Sequence, residues 1–314
     1  MDFDLSPDQG DLMNGLERLL ARHAEIPPAA RKAWHVQDES LNAALDDAGF
    51  LAVAQMDGMG RLEAALVAER IGRLPATVEA AATLLVAPEI GFAVQRPLAL
   101  IDGSPDGAYR NLAVARTALI DRAGAMHVLP VGVRDVVPVA TIFAYPYGRF
   151  RALPDLSACR TLDAATSARV RHWWRVAIVA EAAGAMRAAI DFTVQHSKDR
   201  HLFGRPLGGF QSVQHRLAEC HQIQRATYQL LLKAAWSGAP IDALLAASYA
   251  QGHVQKLMFD LHQFNGAMGL TNEALLHFWT YRLRALQAEL GGADAAALEA
   301  ADALWPSRSR VPEL

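Results

Sequence analysis

Apolar positions change their spacing twice along the chain. Over residues 3–24, Leu12, Met13, Leu16, Leu19 and Leu20 recur at helical intervals, and Ser6 before Pro7 supplies an N-cap and first-turn pair. The same spacing predicts helices over 40–48, ended by Gly49, over 62–71, stopped at Gly72, and over 74–86, towards Pro88. Between Phe92 and Leu156 glycine, proline, valine and isoleucine rise, and alternation appears in 112–120, 127–133 and 137–143. Asp102-Gly103, Asp106-Gly107 and Ala123-Gly124 mark turns, so this stretch predicts a small antiparallel β-domain of roughly five or six short strands. From about Ser157 the pattern is helical again, over 163–199, 212–236, 240–264 and 272–290, with an alanine-rich tail helix near 293–304. Four helices with short connections pack most simply as an antiparallel bundle. The predicted fold is mainly α with a small β-domain: an N-terminal helical domain (1–91), a reduced β-domain (92–156) and a C-terminal four-helix bundle (157–314).

At 314 residues the chain can bury a large core, and a net charge of −3 offers no basic surplus for nucleic acid or an anionic membrane. Two cysteines make no disulfide framework, the N-terminus is acidic, and no apolar run reaches the length of a bilayer span. The expectation is a soluble cytoplasmic protein. No dinucleotide fingerprint, phosphate-binding loop, nucleophile elbow or zinc-protease motif is present, and His215, Cys220 and His221 do not line up as i, i+4 ligands. Phe278 and Trp279 read as core or subunit interface, and Arg308 and Arg310 as solvated or partner-facing. Asp199–Gln211, DRHLFGRPLGGFQ, is richer than a turn between helices needs, with two arginines, two phenylalanines and a glutamine in thirteen residues. Such a set suits a flat anionic ligand: arginine for phosphate, phenylalanine for a ring face, glutamine for a polar edge.

Four segments, in order, resemble the acyl-CoA dehydrogenase family. MDFDLSPDQGDLMNGLERLLARH is similar to its first helix, and LNAALDDAGFLAVAQMDGMGRLEAALVAERIGRL to the segment that follows. RHLFGRPLGGFQSVQHRLAE resembles the R-x-Q-F-G-(R/K)-P-(I/L)-x-x-F-Q signature, and QFNGAMGLTNE resembles the Q-x-x-G-G-x-G-(F/Y)-(T/S)-x-E segment. The resemblance implies FAD, with Arg200 and Gln211 at its pyrophosphate, Phe203 packed on the flavin or adenine side, and Gln263, Gly266 and the backbone at Ala267 near the adenosine half. In the family these groups reach a flavin seated mainly in a neighbouring subunit, which implies an oligomer.

The departures from the family pattern fall in the middle of the chain. Leu202, Asn265 and Ala267 are mild replacements. No counterpart of the C-x-x-x-T-E-P-x-x-G-S or K-x-(F/Y)-I-(T/S)-N segments appears; RNLAVARTALI and DVVPVATIFAYPYG stand in that region. Desaturating an acyl-CoA needs a carboxylate base. At the two positions the family uses, this chain has Trp174 and Arg175, or Leu290. Glu289, one residue away, reads as an exposed helix glutamate beside Arg284 and Gln287, and Glu181 as a structural hydrogen-bonding residue. The resemblance therefore implies a shortened, non-catalytic subunit of a heteromeric (α2β2) dehydrogenase of the steroid side-chain-degrading type. It would share FAD with a catalytic partner that carries most of the acyl-CoA site, and an electron-transfer flavoprotein would be the acceptor. The alternatives are a self-sufficient homo-oligomeric dehydrogenase using Glu289, and a cofactor-free assembly scaffold.

Overall fold

The computed structural model describes residues 4–306; Arg308 and Arg310 lie outside the described residues. Ser6 accepts from the Gln9 backbone N–H while the Gln9 side chain returns to the Ser6 N–H, a capping box that starts helix α1 (Pro7–Leu20). Helix α2 (Glu39–Asp47) is capped by Asp38 and ends at Gly49, whose φ of 77° turns the chain into the left-handed region. Helix α3 (Arg61–Gly72) follows.

The helix expected over 74–86 is reduced to α4 (Ala81–Leu85). Proline at 75 lacks an N–H for a helix interior, and the irregular stretch before α4 is held from far along the chain instead. The buried Arg282 guanidinium donates to the carbonyls of Gly72, Leu74, Pro75 and Ala76, and the Trp279 indole donates to that of Arg73 at 2.9 Å.

The middle of the chain forms strands β1 (Leu98–Asp102), β2 (Tyr109–Arg110), β3 (Thr117–Arg122), β4 (Ala125–Pro130), β5 (Val136–Pro138), β6 (Tyr147–Phe150) and β7 (Arg160–Thr161). They make two sheets, ordered β1-β3-β4-β7 and β2-β6-β5. The expected all-antiparallel arrangement is corrected at one pair: β1 and β3 are parallel, because β2 crosses into the other sheet and returns the chain in its original direction. Ala123-Gly124, both at positive φ, does make the β3–β4 hairpin turn. Of the expected strand 112–120 only the part from Thr117 is extended. The preceding turn, begun by Asn111 at φ 64°, lies against Gly148, where a Cβ would come 2.6 Å from the Ala113 nitrogen. Of the expected strand 137–143 only the start is paired: β5 ends at Pro138, with one further bond from the Val139 N–H to the Tyr147 carbonyl at 2.8 Å.

Helix α5 (Ala164–Asp199), 36 residues and about 54 Å long, is the axis of the helical part. Asp163 caps it. Around it pack α6 (Gln211–Ser237), α7 (Pro240–Gly252), α8 (Val254–Gly269) and α9 (Leu276–Leu286), while α10 (Gly292–Leu304) lies on α7. The single helix expected over 240–264 is broken at His253 into α7 and α8. Phe210 holds the N-cap position of α6 without a side-chain bond. Helices α3 and α5 cross almost backbone to backbone: a Cβ on Gly184 would lie 2.2 Å from the Glu69 carbonyl oxygen. Phe278 is fully buried and Trp279 nearly so.

Candidate functional site

The chain leaves α5 at Arg200 and turns back through a two-stranded hairpin, β8 (His201–Leu202) and β9 (Arg205–Pro206), before entering α6. Phe203 at φ 52° and Gly204 at φ 78° make its turn. The stretch 199–211 is thus the end of α5, a hairpin over 201–206, a helical turn over 207–209 and the start of α6. A cleft of about 500 Å³ opens between the end of α5, this hairpin, the first turn of α6 and the end of α8. Arg200, Gln263, Gly266 and Ala267 line it together with His196 and Arg216. Among the described residues, the Arg200 guanidinium and the Gln263 amide make no ion pair or side-chain hydrogen bond and both are exposed. Gly266 breaks the end of α8 with φ 59° and ψ −146°, a conformation open to glycine, which turns its backbone away from the helical ladder. The Asn265 side chain, fully inside, donates to Thr193 Oγ1 at 2.9 Å and the Leu261 carbonyl at 2.8 Å, so α8 is fastened to α5 beside this break.

Two of the expected cofactor residues stand apart from the cleft. Phe203, 95% exposed, meets Phe210 edge to face at 6.4 Å, and Gln211 is the exposed first residue of α6. Arg216, which the sequence reading did not single out, faces the cleft while its Nε donates to Asp260 Oδ1 at 3.0 Å and its guanidinium lies 4.8 Å over the Phe264 ring.

The second cluster lies between β2 and the helices. Glu289 is not an exposed helix glutamate. It sits in the turn Glu289–Gly291 after α9, with its side chain 17% exposed, and Leu290 beside it is held at φ 53°. Arg284 bonds Gln287 instead. Arg110 Nε donates to Glu289 Oε1 at 2.5 Å and Nη2 to Oε2 at 3.1 Å, and the Trp174 indole donates to the same Oε2 at 3.0 Å. Arg110 Nη1 meanwhile spans both oxygens of Glu181 at 2.9 and 3.0 Å, and the Tyr145 hydroxyl donates to Glu181 Oε2 at 2.5 Å. Burial opposes the charge on Arg110, but the two carboxylates hold its pKa well above the usual value. Burial, and then the charge of Glu289, push the Tyr147 hydroxyl up to about 12. A cleft of about 300 Å³ beside this cluster is lined by Tyr109, Tyr147, Trp174, Glu289 and Leu290. Arg110 carried no periodic signal. Its one mark in the sequence is its place at the head of the largely apolar run RNLAVARTALI.

Helix order, the hairpin and the break in α8 are now joined by a direct match. The model for the acyl-CoA dehydrogenase C-terminal domain matches residues 166–303. That part of the chain is an acyl-CoA dehydrogenase C-terminal domain. Acyl-CoA dehydrogenase IpdE2 of Mycobacterium tuberculosis is 24% identical over 291 residues, 84% of this chain and 87% of that protein. Among solved structures, a chain of the ChsE4-ChsE5 complex from Mycobacterium tuberculosis superposes with a TM-score of 0.81 at 20% identity, covering 98% of this chain and 100% of that one. The Tcur3481-Tcur3483 steroid ACAD G363A variant gives 0.79 at 22% identity, covering 95% and 98%. These acyl-CoA dehydrogenase likenesses show the fold.

FAD is the cofactor of this family. The cleft between α5 and α8 has the donor set for its anionic part: an unpaired guanidinium at Arg200, a free amide at Gln263, and backbone released from the helical ladder at Gly266. Among the described residues no group of three or more metal-ligating side chains occurs, and no helix is long and apolar enough to cross a membrane.

Proposed function

We propose that this chain is the non-catalytic subunit of a heteromeric, FAD-dependent acyl-CoA dehydrogenase and completes the flavin site of a catalytic partner. The observation that carries the proposal is the state of Glu289. A base must offer a free lone pair to the substrate's α-proton, and here Oε1 faces Arg110 while Oε2 faces both Arg110 and Trp174. Trp174, Arg175 and Leu290, at the positions where the family places its base, carry no carboxylate. The opposite condition holds at the other cleft, where Arg200 and Gln263 are free to serve a cofactor diphosphate.

Bound FAD supplies hydride acceptance in the α,β-desaturation of an acyl-CoA thioester. In this reading Arg200 neutralises and orients the pyrophosphate, Gln263, Gly266 and Ala267 line its approach from the adenosine half, and Gln211 and Phe203, exposed outside the cleft, meet the parts of FAD that project beyond it. The partner holds the base and most of the acyl-CoA site, and an electron-transfer flavoprotein takes the electrons. The substrate class is a bulky, steroid-type acyl-CoA, supported by the two-component and steroid descriptions of the structural neighbours. The cytoplasm suits its two unpaired cysteines.

Turnover of an acyl-CoA with an artificial electron acceptor tests the assignment. The chain alone gives none, and the complex with its partner keeps its rate when this subunit carries Glu289→Gln but loses flavin when it carries Arg200→Ala. Turnover by the isolated chain that Glu289→Gln abolishes would establish the self-sufficient alternative. Unchanged flavin content in the Arg200→Ala complex would favour a scaffold.

A further inference from the structure

The break at Gly266 frees backbone toward the α5–α8 cleft, and the freed turn is pinned at its far end. Gly266, Ala267 and Met268 line the cleft and are exposed, whereas the next residue, Gly269, is buried. Gly269 is pressed onto the helix the chain has just left: a Cβ there would lie 2.7 Å from the Asn265 Cβ and 3.1 Å from the His262 carbonyl oxygen. Its own carbonyl meets His262 Nδ1 at 2.7 Å, and His262 Nε2 lies 3.0 Å from the hydroxyl of Thr280 on α9. The backbone closures of the turn are longer, with the Leu270 N–H to the Ala267 carbonyl and the Thr271 N–H to that of Met268 both at 3.2 Å.

Burial lowers the His262 pKa, although the bond to Gly269 opposes that shift, so the ring is neutral at about pH 7.5 and one nitrogen carries its hydrogen. A carbonyl can only accept, so the hydrogen sits on Nδ1 and Nε2 accepts from Thr280. One side chain thus ties the end of α8 both to its own helix and to α9. His262 does not line the cleft itself. It lines a neighbouring cavity of about 510 Å³ that shares Gln263 and Gly266 with the cleft, and it reaches the cleft through the turn. We propose, on the reading of that cleft as the flavin site, that His262 is a positioning residue: its clasp on the Gly269 carbonyl fixes Gly266, Ala267 and Met268 at the wall that receives the anionic part of FAD.

Two readouts test this: hydrogen exchange of the full chain, followed over residues 266–271, and flavin retained after gel filtration by the complex with its partner. His262→Leu removes both ring bonds, while His262→Asn places an amide N–H where the Nδ1–H stands. His262→Leu is expected to speed exchange in that segment about fivefold and to lower retained flavin by at least about half. His262→Asn should bring both back to within about twofold of wild type. Unchanged exchange in His262→Leu, or an asparagine variant no better than the leucine one, would overturn the clasp. Arg200→Ala in the same complex is the control. Flavin kept by His262→Leu but lost by Arg200→Ala would overturn the positioning role and leave the cleft assigned to flavin; flavin kept by both would overturn that assignment and the positioning role with it.

Discussion

Replacing Arg110 with leucine removes the centre of the buried cluster between β2, α5 and the turn after α9. The guanidinium makes four hydrogen bonds to two carboxylates, at 2.5, 2.9, 3.0 and 3.1 Å. Their sum is not the cost, because such bonds are not additive. The cost is that of leaving Glu181 and Glu289 buried without their cation, about 3–5 kcal/mol for a broken interior pair. Arg282 is held away from that role by both of its Nη atoms, which donate to the carbonyls of Gly72, Leu74, Pro75 and Ala76. At a denaturant slope of about 3 kcal/mol per M, a loss of about 4 kcal/mol lowers the urea midpoint by roughly 1.3 M.

The sign of the pH dependence follows from the same loss. Stripped of its cation, a buried carboxylate has a folded-state pKa above its unfolded value, so its penalty is present at high pH and lifts as protons bind. The gap between wild type and Arg110→Leu should thus be wide at pH 8 and narrower at pH 5. Adding Glu181→Gln and Glu289→Gln removes both charges while keeping acceptors for Tyr145 and Trp174, and should recover more than half of the loss. Urea unfolding of the full chain measures all three variants. A gap under about 1 kcal/mol at pH 7, or one that is the same at both pH values, would refute the reading of this cluster as an ionic lock.

Gly184→Ala forces a methyl group to within 2.2 Å of the Glu69 carbonyl oxygen, so α3 and α5 must separate; a loss of about 1–3 kcal/mol in thermal or urea unfolding is expected. Glu79 is buried, and burial raises its pKa despite hydrogen bonds from the Leu98 and Thr83 backbone N–H groups and the Thr83 hydroxyl. Its folded-state pKa lies above the unfolded one, so its contribution to stability is lost as pH rises from about 4. Relative to wild type, Glu79→Gln should therefore gain stability between pH 4 and pH 7 in urea titrations at a series of pH values.

What the sequence made legible follows the range of the forces involved. Helices α1, α5, α6 and α10 repeat their own apolar spacing, α1 and α5 add side-chain caps at Ser6 and Asp163, and Ser6 with Gln9 forms the box that its position suggests. The stretch before α4 kept a helical pattern and still became irregular, because what holds it is Arg282, about two hundred residues later. Glu289 was misread for the same reason. Its local neighbours suggest an exposed helix face, whereas Arg110, its ion-pair partner, is 179 residues away in sequence. The parallel pairing of β1 with β3 depends on β2 leaving for the other sheet, which alternation within a strand does not encode. At the α5–α8 cleft, Arg200, Gln263, Gly266 and Ala267 were visible as parts of two separated motifs, and the helical packing brings them to one opening. Phe203 and Gln211 belong to the same signature string and point elsewhere.

The account rests on a chain that lends phosphate-binding groups across a subunit boundary and keeps no working acid–base site of its own. Flavin counted against protein in the complex purified after co-expression with the catalytic partner tests this most directly. The account predicts one flavin for every two chains; one flavin per chain would contradict it.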